Sequence, residues 1–230
     1  QSSTSRTHRM AFAPTRVFPP TEVQQGFRIV STLQPAGNYY DKYHTRNPLA
    51  RYLMHGFLES FDALCKRTGV DETIEVGCGE GELSMRLAAD GIRVRASDIA
   101  ADAVDEARKR AEAAGLSIDY SVRSLEQMQG TEVSPLVVCC EVLEHLDDPE
   151  SGLRILESLT SRWLLVSVPR EPIWRALNVM RGKYLGDFGN TPGHVNHWSA
   201  RAFKSFIASR FEIVEQRNPL PWTMLLCRCR

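Results

Sequence analysis

The stretch EVGCGEG, residues 75–81, decides the fold predicted for this chain. It joins a predicted strand to a predicted helix, and its three glycines let the backbone turn sharply and approach a ligand. A nucleotide-like cofactor is the natural ligand of such a turn. A dinucleotide fingerprint requires its third glycine at position 82, where Glu82 would crowd and repel a pyrophosphate, so the spacing disfavours NAD. A tight turn without a ligand is the alternative, because a lone Gly-x-Gly is a weak signal.

Asp98 closes the next predicted strand and brings a carboxylate to the same edge of the predicted sheet. A carboxylate at this place accepts hydrogen bonds from the two hydroxyls of a ribose. The glycine turn and Asp98 together therefore predict a site for a nucleoside-type cofactor whose ribose carries no phosphate.

Strand-like and helix-like segments alternate along most of the chain. A first amphipathic helix stops at Gly69, and the first strand then runs into the glycine turn. Further strands are predicted at residues 92–98, 118–124, 135–141, 163–169, 211–217 and 222–230, and further helices at 83–91, 100–115, 149–161 and 199–210. This order predicts an α/β fold with a doubly wound, seven-stranded, mostly parallel sheet and a lid-like insertion after the fifth strand.

The composition predicts one globular domain over residues 26–230, with the insertion at residues 170–197. Residues 1–25 are rich in Ser, Thr, Arg and Pro, and we interpret them as a flexible arm or a remnant added for expression. The 28 basic and 28 acidic side chains give no net charge, which makes nucleic acid an improbable partner. No apolar run approaches the roughly 20 residues that span a bilayer. The six cysteines favour a reducing, cytoplasmic location.

The insertion carries an apolar stripe at helical spacing, interleaved with basic side chains. The stripe consists of Ile173, Trp174, Leu177, Met180 and Tyr184. A lid over an apolar substrate is the preferred interpretation, and contact of residues 172–185 with an anionic membrane surface is the second. Packing of the stripe on the domain's own core is a third, since most amphipathic helices have that fate.

Two carboxylates and an imidazole follow the fourth predicted strand in the stretch EVLEHL. If a helical turn begins there, Glu141, Glu144 and His145 project from one side of it. Carboxylates that converge repel each other unless a cation or a proton intervenes. One interpretation needs no metal: Glu141 lies near the cofactor, Glu144 caps backbone groups and His145 lines the pocket. The other adds a histidine of GHVNHWS, residues 193–199, to complete a divalent-metal site.

With these motifs in place, residues 39–230 resemble the class I S-adenosylmethionine-dependent methyltransferases, in particular the ubiquinone-biosynthesis O-methyltransferase group. The resemblance implies that Gly77 and Gly79 face the methionine end of the cofactor, that Asp98 holds the ribose hydroxyls and that Ile99 packs on the adenine. The full set of cofactor contacts implied is Tyr40, Glu75, Gly77, Cys78, Gly79, Asp98, Ile99, Ser124, Leu125 and Glu141.

The resemblance is weaker at the end of the third strand and leaves two roles open for Tyr40. Many relatives carry an Asp before a small residue at the end of the third strand, where this chain has Ser124 and Leu125 beside the expected adenine. Tyr40 matches a tyrosine that often closes over the cofactor, and packing of the first helix onto the sheet is the alternative role.

The EVLEHL stretch and the later histidine are also similar to the metal site of small-RNA 2′-O-methyltransferases. That similarity implies a Mg²⁺ or other divalent ion bound by Glu141, Glu144, His145 and His194, with His194 favoured over His197. A metal that chelates two neighbouring hydroxyls would lower the pKa of one and aim it at the methyl group. Without a metal, His145 is the candidate general base and catalytic residue.

The resemblance implies methyl transfer from S-adenosylmethionine to a hydroxyl of a small-molecule or lipid-linked acceptor, in the cytoplasm or at a membrane surface. Three alternatives stay open: an RNA 2′-O-methyltransferase, a small-molecule N-methyltransferase and a catalytically idle cofactor-binding protein. The neutral net charge and the lack of a basic, aromatic-rich arm oppose the RNA substrate.

Overall fold

The computed structural model describes residues 47–130, 132–180, 182 and 184–230. The predicted arm at residues 1–25 and the predicted cofactor contact Tyr40 lie outside the described residues. Secondary structure alternates along the described chain. The helices are α1 (Pro48–Thr68), α2 (Glu82–Ala89), α3 (Ala101–Ala113), α4 (Pro149–Leu159), α5 (Ile173–Met180) and α6 (Ala200–Ile207), and the strands are β1 (Glu72–Val76), β2 (Arg93–Asp98), β3 (Asp119–Val122), β4 (Ser134–Cys140), β5 (Thr160–Pro169), β6 (Phe211–Arg217) and β7 (Trp222–Cys229).

The described strands form a seven-stranded sheet in the order β3-β2-β1-β4-β5-β7-β6. Strands β1 to β5 pair in parallel, whereas β7 lies antiparallel between β5 and β6. The predicted doubly wound, mostly parallel fold is therefore confirmed. Because parallel strands end at the same edge, the chain leaves β1, β2, β4 and β5 on one side of the sheet.

Both faces of the sheet are covered, which explains why β4 is apolar along its whole length. Its Leu136 and Val138 pack with Phe57 and Phe61 of α1 in one buried cluster. Its alternate residues Val137 and Cys139 belong to a second cluster, on the other face, with residues of α4 and α6. The period-two alternation of a strand places successive side chains in opposite cores.

Local signals set the first helix. Asn47 caps α1 by accepting hydrogen bonds from the backbone of Leu49 and Ala50, and Pro48 occupies the first turn. The helix ends at Gly69, which adopts the left-handed conformation with φ of 62°. The predicted stop at Gly69 is confirmed. None of the helices in the described ranges is long and apolar enough to cross a membrane.

The two ends of the insertion after β5 lie next to each other and are joined by backbone contacts. The backbone of Glu171 donates a 2.9 Å hydrogen bond to the carbonyl of Trp198, and Arg170 forms an isolated bridge with Trp198. Between these points lie α5 and a short 3₁₀ turn at Leu185–Asp187. Asn178 is 1% exposed and donates to the carbonyl of Gly189 at 2.8 Å, which joins the helix to the segment after the turn. The insertion therefore has an internal structure of its own.

Candidate active site

The glycine turn after β1 is fastened to the end of β2. The backbone nitrogens of Gly77 and Cys78 donate to the carbonyl of Ser97 at 2.8 and 3.0 Å. A Cβ on Gly77, whose φ is 75°, would overlap the Cγ2 of Val142, so glycine is required there for packing. A Cβ on Gly79, whose φ is 51°, would meet nothing within 4 Å. The turn thus presents backbone and open space at Gly79, as a bound ligand requires.

Asp98 lies against this turn at the carboxyl end of β2. Its two carboxylate oxygens accept hydrogen bonds from the backbone of Gly79 at 2.8 Å and of Ala100 at 2.9 Å. Each oxygen has a second lone pair, so the carboxylate keeps capacity for ligand hydroxyls. The next residue, Ile99, is 39% exposed, and Val122 at the paired end of β3 is 45% exposed. An acidic group and two apolar side chains therefore border the open side of the turn.

The segment after β3 forms a short turn that its own side chains cap. The backbone of Ser124 donates to Oε1 of Gln127 at 2.9 Å, and the backbone of Gln127 donates to the Ser124 hydroxyl at 3.4 Å. This reciprocal capping starts the 3₁₀ turn Glu126–Met128, and the Ser-x-x-Gln spacing that signals it was missed in the sequence analysis. Leu125 is 4% exposed and packs in the buried cluster on the α4 face. Their contact with an adenine stays a prediction.

Glu75 and Cys78 are both buried in or beside the turn. The Glu75 carboxylate is 2% exposed and accepts a short hydrogen bond from the Ser84 hydroxyl of α2. The pKa of Glu75 is raised to about 7, chiefly by burial; the Ser84 hydrogen bond opposes the rise, and the nearby charge of Asp98 adds to it. Burial also raises the pKa of the Cys78 thiol, so this cysteine is a small packing group rather than a reactive thiolate.

The Glu141 carboxylate is bound by side chains of β5 and β7. The φ of Glu141 is 61°, and the helical turn begins at Leu143 and ends at His145, so the condition under which Glu141 would project from the same side of a turn as Glu144 and His145 is not met. The Glu141 carboxylate accepts hydrogen bonds from the Ser167 hydroxyl at 3.1 Å and from the indole of Trp222 at 2.7 Å. The left-handed backbone thus directs this carboxylate toward β5 and β7.

The structure brings together the other three predicted metal ligands. One ligand atom from each of Glu144, His145 and His194 lies within 4.8 Å of the other two. Glu141 is not a member of this group. Nδ1 of His145 lies 2.8 Å from the carbonyl oxygen of Gly193, which can only accept, so Nδ1 carries the proton and Nε2 is the acceptor. One buried carboxylate and two imidazoles form a donor set that suits a divalent transition metal.

Backbone contacts hold His194 in this position. The residues that follow it, Val195 and Asn196, donate their backbone N–H groups to the carbonyl of Glu144 at 2.9 and 3.0 Å. The Asn196 side chain also donates to the carbonyl of Leu146 at 2.6 Å. The end of the insertion is therefore fastened to the turn that carries Glu144 and His145.

His197 has a different environment from His194. Its Nδ1 lies 3.6 Å from the carboxylate of Glu171. Burial and the positive charge of Arg175 lower the pKa of His197, and Glu171 opposes that change. His197 thus lies beside Glu171 at the start of the insertion and is not a member of the group formed by Glu144, His145 and His194.

An aromatic series borders the group of three on one side. Trp174 stacks on His194 with ring centroids 5.9 Å apart, and its indole donates to the Thr191 hydroxyl at 2.9 Å. Trp222 lies 5.8 Å from Trp174 and 5.0 Å from Phe57 of α1. The sequence analysis did not single out Trp222. Its position at the start of β7, opposite the end of β5, is visible only in the sheet register.

Sequence comparison relates this arrangement to known proteins. Residues 74–160, which hold the glycine turn, Asp98 and the EVLEHL stretch, match the family described as a methyltransferase domain. The match to that family covers 87 of the 230 residues of this chain. The ubiquinone biosynthesis O-methyltransferase of Xanthomonas axonopodis pv. citri (strain 306) is 32% identical over 147 residues, or 62% of this chain and 58% of that protein. The predicted resemblance is confirmed, and the chain spans about half the length of the curated relatives it matches.

Solved structures of two methyltransferases share the fold of this chain. The magnesium protoporphyrin IX methyltransferase of Synechocystis PCC 6803 with bound SAH has a TM-score of 0.64 at 22% identity, over 82% of this chain and 90% of that one. The N-methyltransferase NodS of Bradyrhizobium japonicum WM9, in complex with S-adenosyl-L-homocysteine, has a TM-score of 0.62 at 17% identity, over 83% and 93%. At these identities the likeness shows the fold alone.

Proposed function

We propose that this chain transfers the methyl group of S-adenosylmethionine to a hydroxyl oxygen of a small-molecule or lipid-linked acceptor, with a divalent metal at the acceptor site. The observation that carries the proposal is the open position at Gly79, whose backbone is bound to the carboxylate of Asp98. A backbone turn beside a fixed carboxylate suits a ligand with a ribose diol and no phosphate.

The residues of the turn fit this cofactor. Gly77 and Gly79 would lie along its methionine end, with Glu75 supplying negative charge below them. Asp98 would accept from the ribose hydroxyls, and the exposed Ile99 would pack on the adenine. The resemblance to methyltransferases and the free space at Gly79 support these roles.

A metal fits the residues on the acceptor side. Glu144, His145 and His194 would hold it, since a carboxylate and two imidazoles present their ligand atoms to a common point. When bound, the ion lowers the pKa of an acceptor hydroxyl. The His145–Gly193 hydrogen bond orients the imidazole by fixing its tautomer, as partners of metal-binding histidines do.

His145 has a second role if transfer proceeds without a metal. With the proton fixed on Nδ1, its Nε2 can accept the proton of an acceptor hydroxyl as the oxygen attacks the methyl group. The proton then rests on the imidazole, which becomes a cation beside the carboxylate of Glu144.

The outer side of the insertion favours an apolar or lipid-linked acceptor. Met180 is 81% exposed, Phe188 is 82% exposed and Val179 is 44% exposed, all within or next to the insertion's helix and turn. Large apolar side chains this exposed favour contact with a lipid surface or an apolar chain. We therefore propose that residues 172–185 form a lid that rests at a membrane surface when the acceptor is lipid-linked.

The direct test uses the purified chain, methyl-labelled S-adenosylmethionine and an aromatic vicinal diol, before and after exhaustive chelation. We expect transfer to oxygen that is lost on chelation and restored by Mg²⁺ or Mn²⁺. Unchanged turnover after chelation, with turnover abolished in His145→Ala, would remove the metal and leave His145 as the base. Label transferred to an amine but not to the diol would reject the oxygen acceptor.

Matched variants locate the two ligands by affinity. His194→Ala should weaken Mn²⁺ binding by about tenfold or more, whereas His197→Ala should not. Asp98→Asn should weaken binding of S-adenosylmethionine by about 1.5 to 3 kcal/mol for each hydrogen bond lost, measured by calorimetry. Asp102→Asn, on the exposed first turn of α3, is the control for the change of charge. Equal cofactor affinities for the two Asn variants would reject the ribose role of Asp98.

A further inference from the structure

Glu75 is a buried acidic residue with few groups nearby that could stabilise a negative charge. It lies on the central strand β1, where its sheet neighbours are Ala96 and Val138, both buried. Its own side chain is 2% exposed and is two residues from Gly77, the first glycine of the turn. An ionised carboxylate taken out of water needs hydrogen bonds or a cation in compensation.

The described groups around Glu75 are neutral or negative. They come from six neighbouring segments: Cys65 on α1, Cys78 in the turn, Ser84 on α2, Asp98 on β2, Tyr120 on β3, and Cys139 and Cys140 on β4. Ser84 is the hydrogen-bond donor to the carboxylate, and Asp98 adds repulsion. This surrounding favours the protonated acid over the carboxylate.

The nearest cations of α3 are bound elsewhere. Arg108 donates to Asp105 at 2.8 Å and to the carbonyl of Tyr120 at 2.9 Å. Arg110 donates to Glu82 at 2.9 Å and to the carbonyl of Glu80 at 3.1 Å. Neither guanidinium lowers the pKa of Glu75. Within the part of the chain that the structure describes, α3 thus supplies no positive charge to neutralise the Glu75 carboxylate.

The cofactor of the proposed function would bring that charge. The methionine end of S-adenosylmethionine carries an ammonium and a sulfonium group against one carboxylate, so its net charge is positive, and this end would lie over the turn next to Glu75. In a site of low dielectric, a cation stabilises a nearby carboxylate far more than it does in water. We propose that entry of the cofactor expels the proton of Glu75 to solvent, so that Glu75 couples cofactor affinity to pH. The inference rests on the proposed function.

The balance of this step is simple. The O–H bond of the Glu75 acid breaks, the proton passes to buffer, and the carboxylate that remains balances one positive charge of the cofactor. Because the pKa of Glu75 without ligand is about 7, about three quarters of the molecules hold this proton at pH 6.5. Affinity should consequently fall by about tenfold from pH 8 to pH 6. The demethylated product has no sulfonium group and should expel less of the proton.

Calorimetry measures the expelled proton directly. Binding of S-adenosylmethionine at pH 6.5 is followed in buffers that differ in ionisation enthalpy, and the slope of observed enthalpy against that enthalpy counts the protons released. We expect about 0.7 of a proton for the wild type and none for Glu75→Gln, which has the shape of the protonated acid. Glu80→Gln removes a more exposed carboxylate from the same turn and should keep the release.

Each outcome has a distinct meaning. No binding by the wild type at any pH would reject the proposed function. Binding without proton release, or with the same release in Glu75→Gln, would overturn the role of Glu75 and leave the proposed function standing. If Glu75→Gln does not fold, the wild-type slope still decides, because a slope of zero at pH 6.5 contradicts the proposal.

Discussion

The carboxylate of Glu141 accepts a hydrogen bond of 2.7 Å from the indole nitrogen of Trp222. The contact joins the end of β4 to the start of β7, two strands that are not neighbours in the sheet. Trp222 is 4% exposed, and Glu141 adopts a φ of 61°, which is uncommon for a residue with a side chain. Glu141 therefore helps to hold the sheet edge, and it is not a member of the group formed by Glu144, His145 and His194.

Replacing the indole should reveal the contribution of this contact to stability. Trp222→Phe keeps an aromatic ring but removes the donor to a partly buried carboxylate, and we expect a loss of about 1.5 to 3 kcal/mol in the free energy of unfolding. Trp163→Phe is the matched control, because Trp163 is also 4% exposed and its indole nitrogen has no hydrogen-bond partner among the described residues. Urea unfolding that shows equal losses for both variants would contradict a role for the hydrogen bond.

Replacing Gly77 or Gly79 by alanine should have different effects on stability and on cofactor affinity. Gly77→Ala would place a methyl group on Val142, and we expect a loss of stability of about 2 kcal/mol or more. Gly79→Ala meets no atom, so its stability loss should be limited to the cost of the left-handed backbone, about 1 to 2 kcal/mol, while cofactor affinity falls more steeply.

Thermal unfolding and calorimetry on both variants separate these effects. Val142→Ala should restore part of the stability of Gly77→Ala, because it removes the overlapping methyl group. A Gly79→Ala variant with unchanged affinity for S-adenosylmethionine would place the cofactor elsewhere.

Glu75 should make the stability of the unliganded protein depend on pH. Its pKa is raised from 4.5 to about 7 in the folded state, so the folded state keeps a proton that the unfolded chain has already released. The free energy of unfolding should therefore fall as pH rises from about 4.5 to about 7, by about 3 kcal/mol at most.

Chemical unfolding of the wild type and Glu75→Gln across this range tests the sign. The variant should lack this component and should be more stable than the wild type at pH 8. A wild type whose stability rises over the same window relative to Glu75→Gln would show that Glu75 is ionised in the folded state.

Asn178 should control the opening of the insertion. It donates to the carbonyl of Gly189 at 2.8 Å and to the Thr191 hydroxyl at 3.2 Å, inside the segment that leads to His194. Asn178→Ala should lower the free energy of local opening by about 1 to 3 kcal/mol, seen as faster hydrogen exchange at residues 184–194 with no change in β4.

Asn190→Ala is the control for that variant, since the amide oxygen of Asn190 has no hydrogen-bond partner within the described ranges. Exchange that quickens equally in both variants would mean that the Asn178 contacts do not hold the insertion. Exchange at residues 170–193 as slow as in β4 in the wild type without ligand would contradict a lid.

Much of the fold was predictable because its signals are local. The strand–glycine–helix unit at residues 75–81 and the alternation of β4 are patterns of neighbouring residues, and each maps directly onto backbone geometry. The stop at Gly69 is of the same kind. The Ser124–Gln127 cap is also local, and its Ser-x-x-Gln spacing was available in the sequence but was not recognised.

The sequence by itself determined the sheet, the turn that would hold a cofactor and the residue types of the acceptor site. Only the tertiary structure decided which of those residues meet. Glu141 is three positions from Glu144 and yet binds Trp222, because its backbone is left-handed instead of having the helical conformation that would align it with Glu144. His194 is far from Glu144 along the chain and yet joins it, because the backbone after His194 binds the carbonyl of Glu144. Contacts between distant segments depend on the summed packing of whole elements, which no local pattern of residues records.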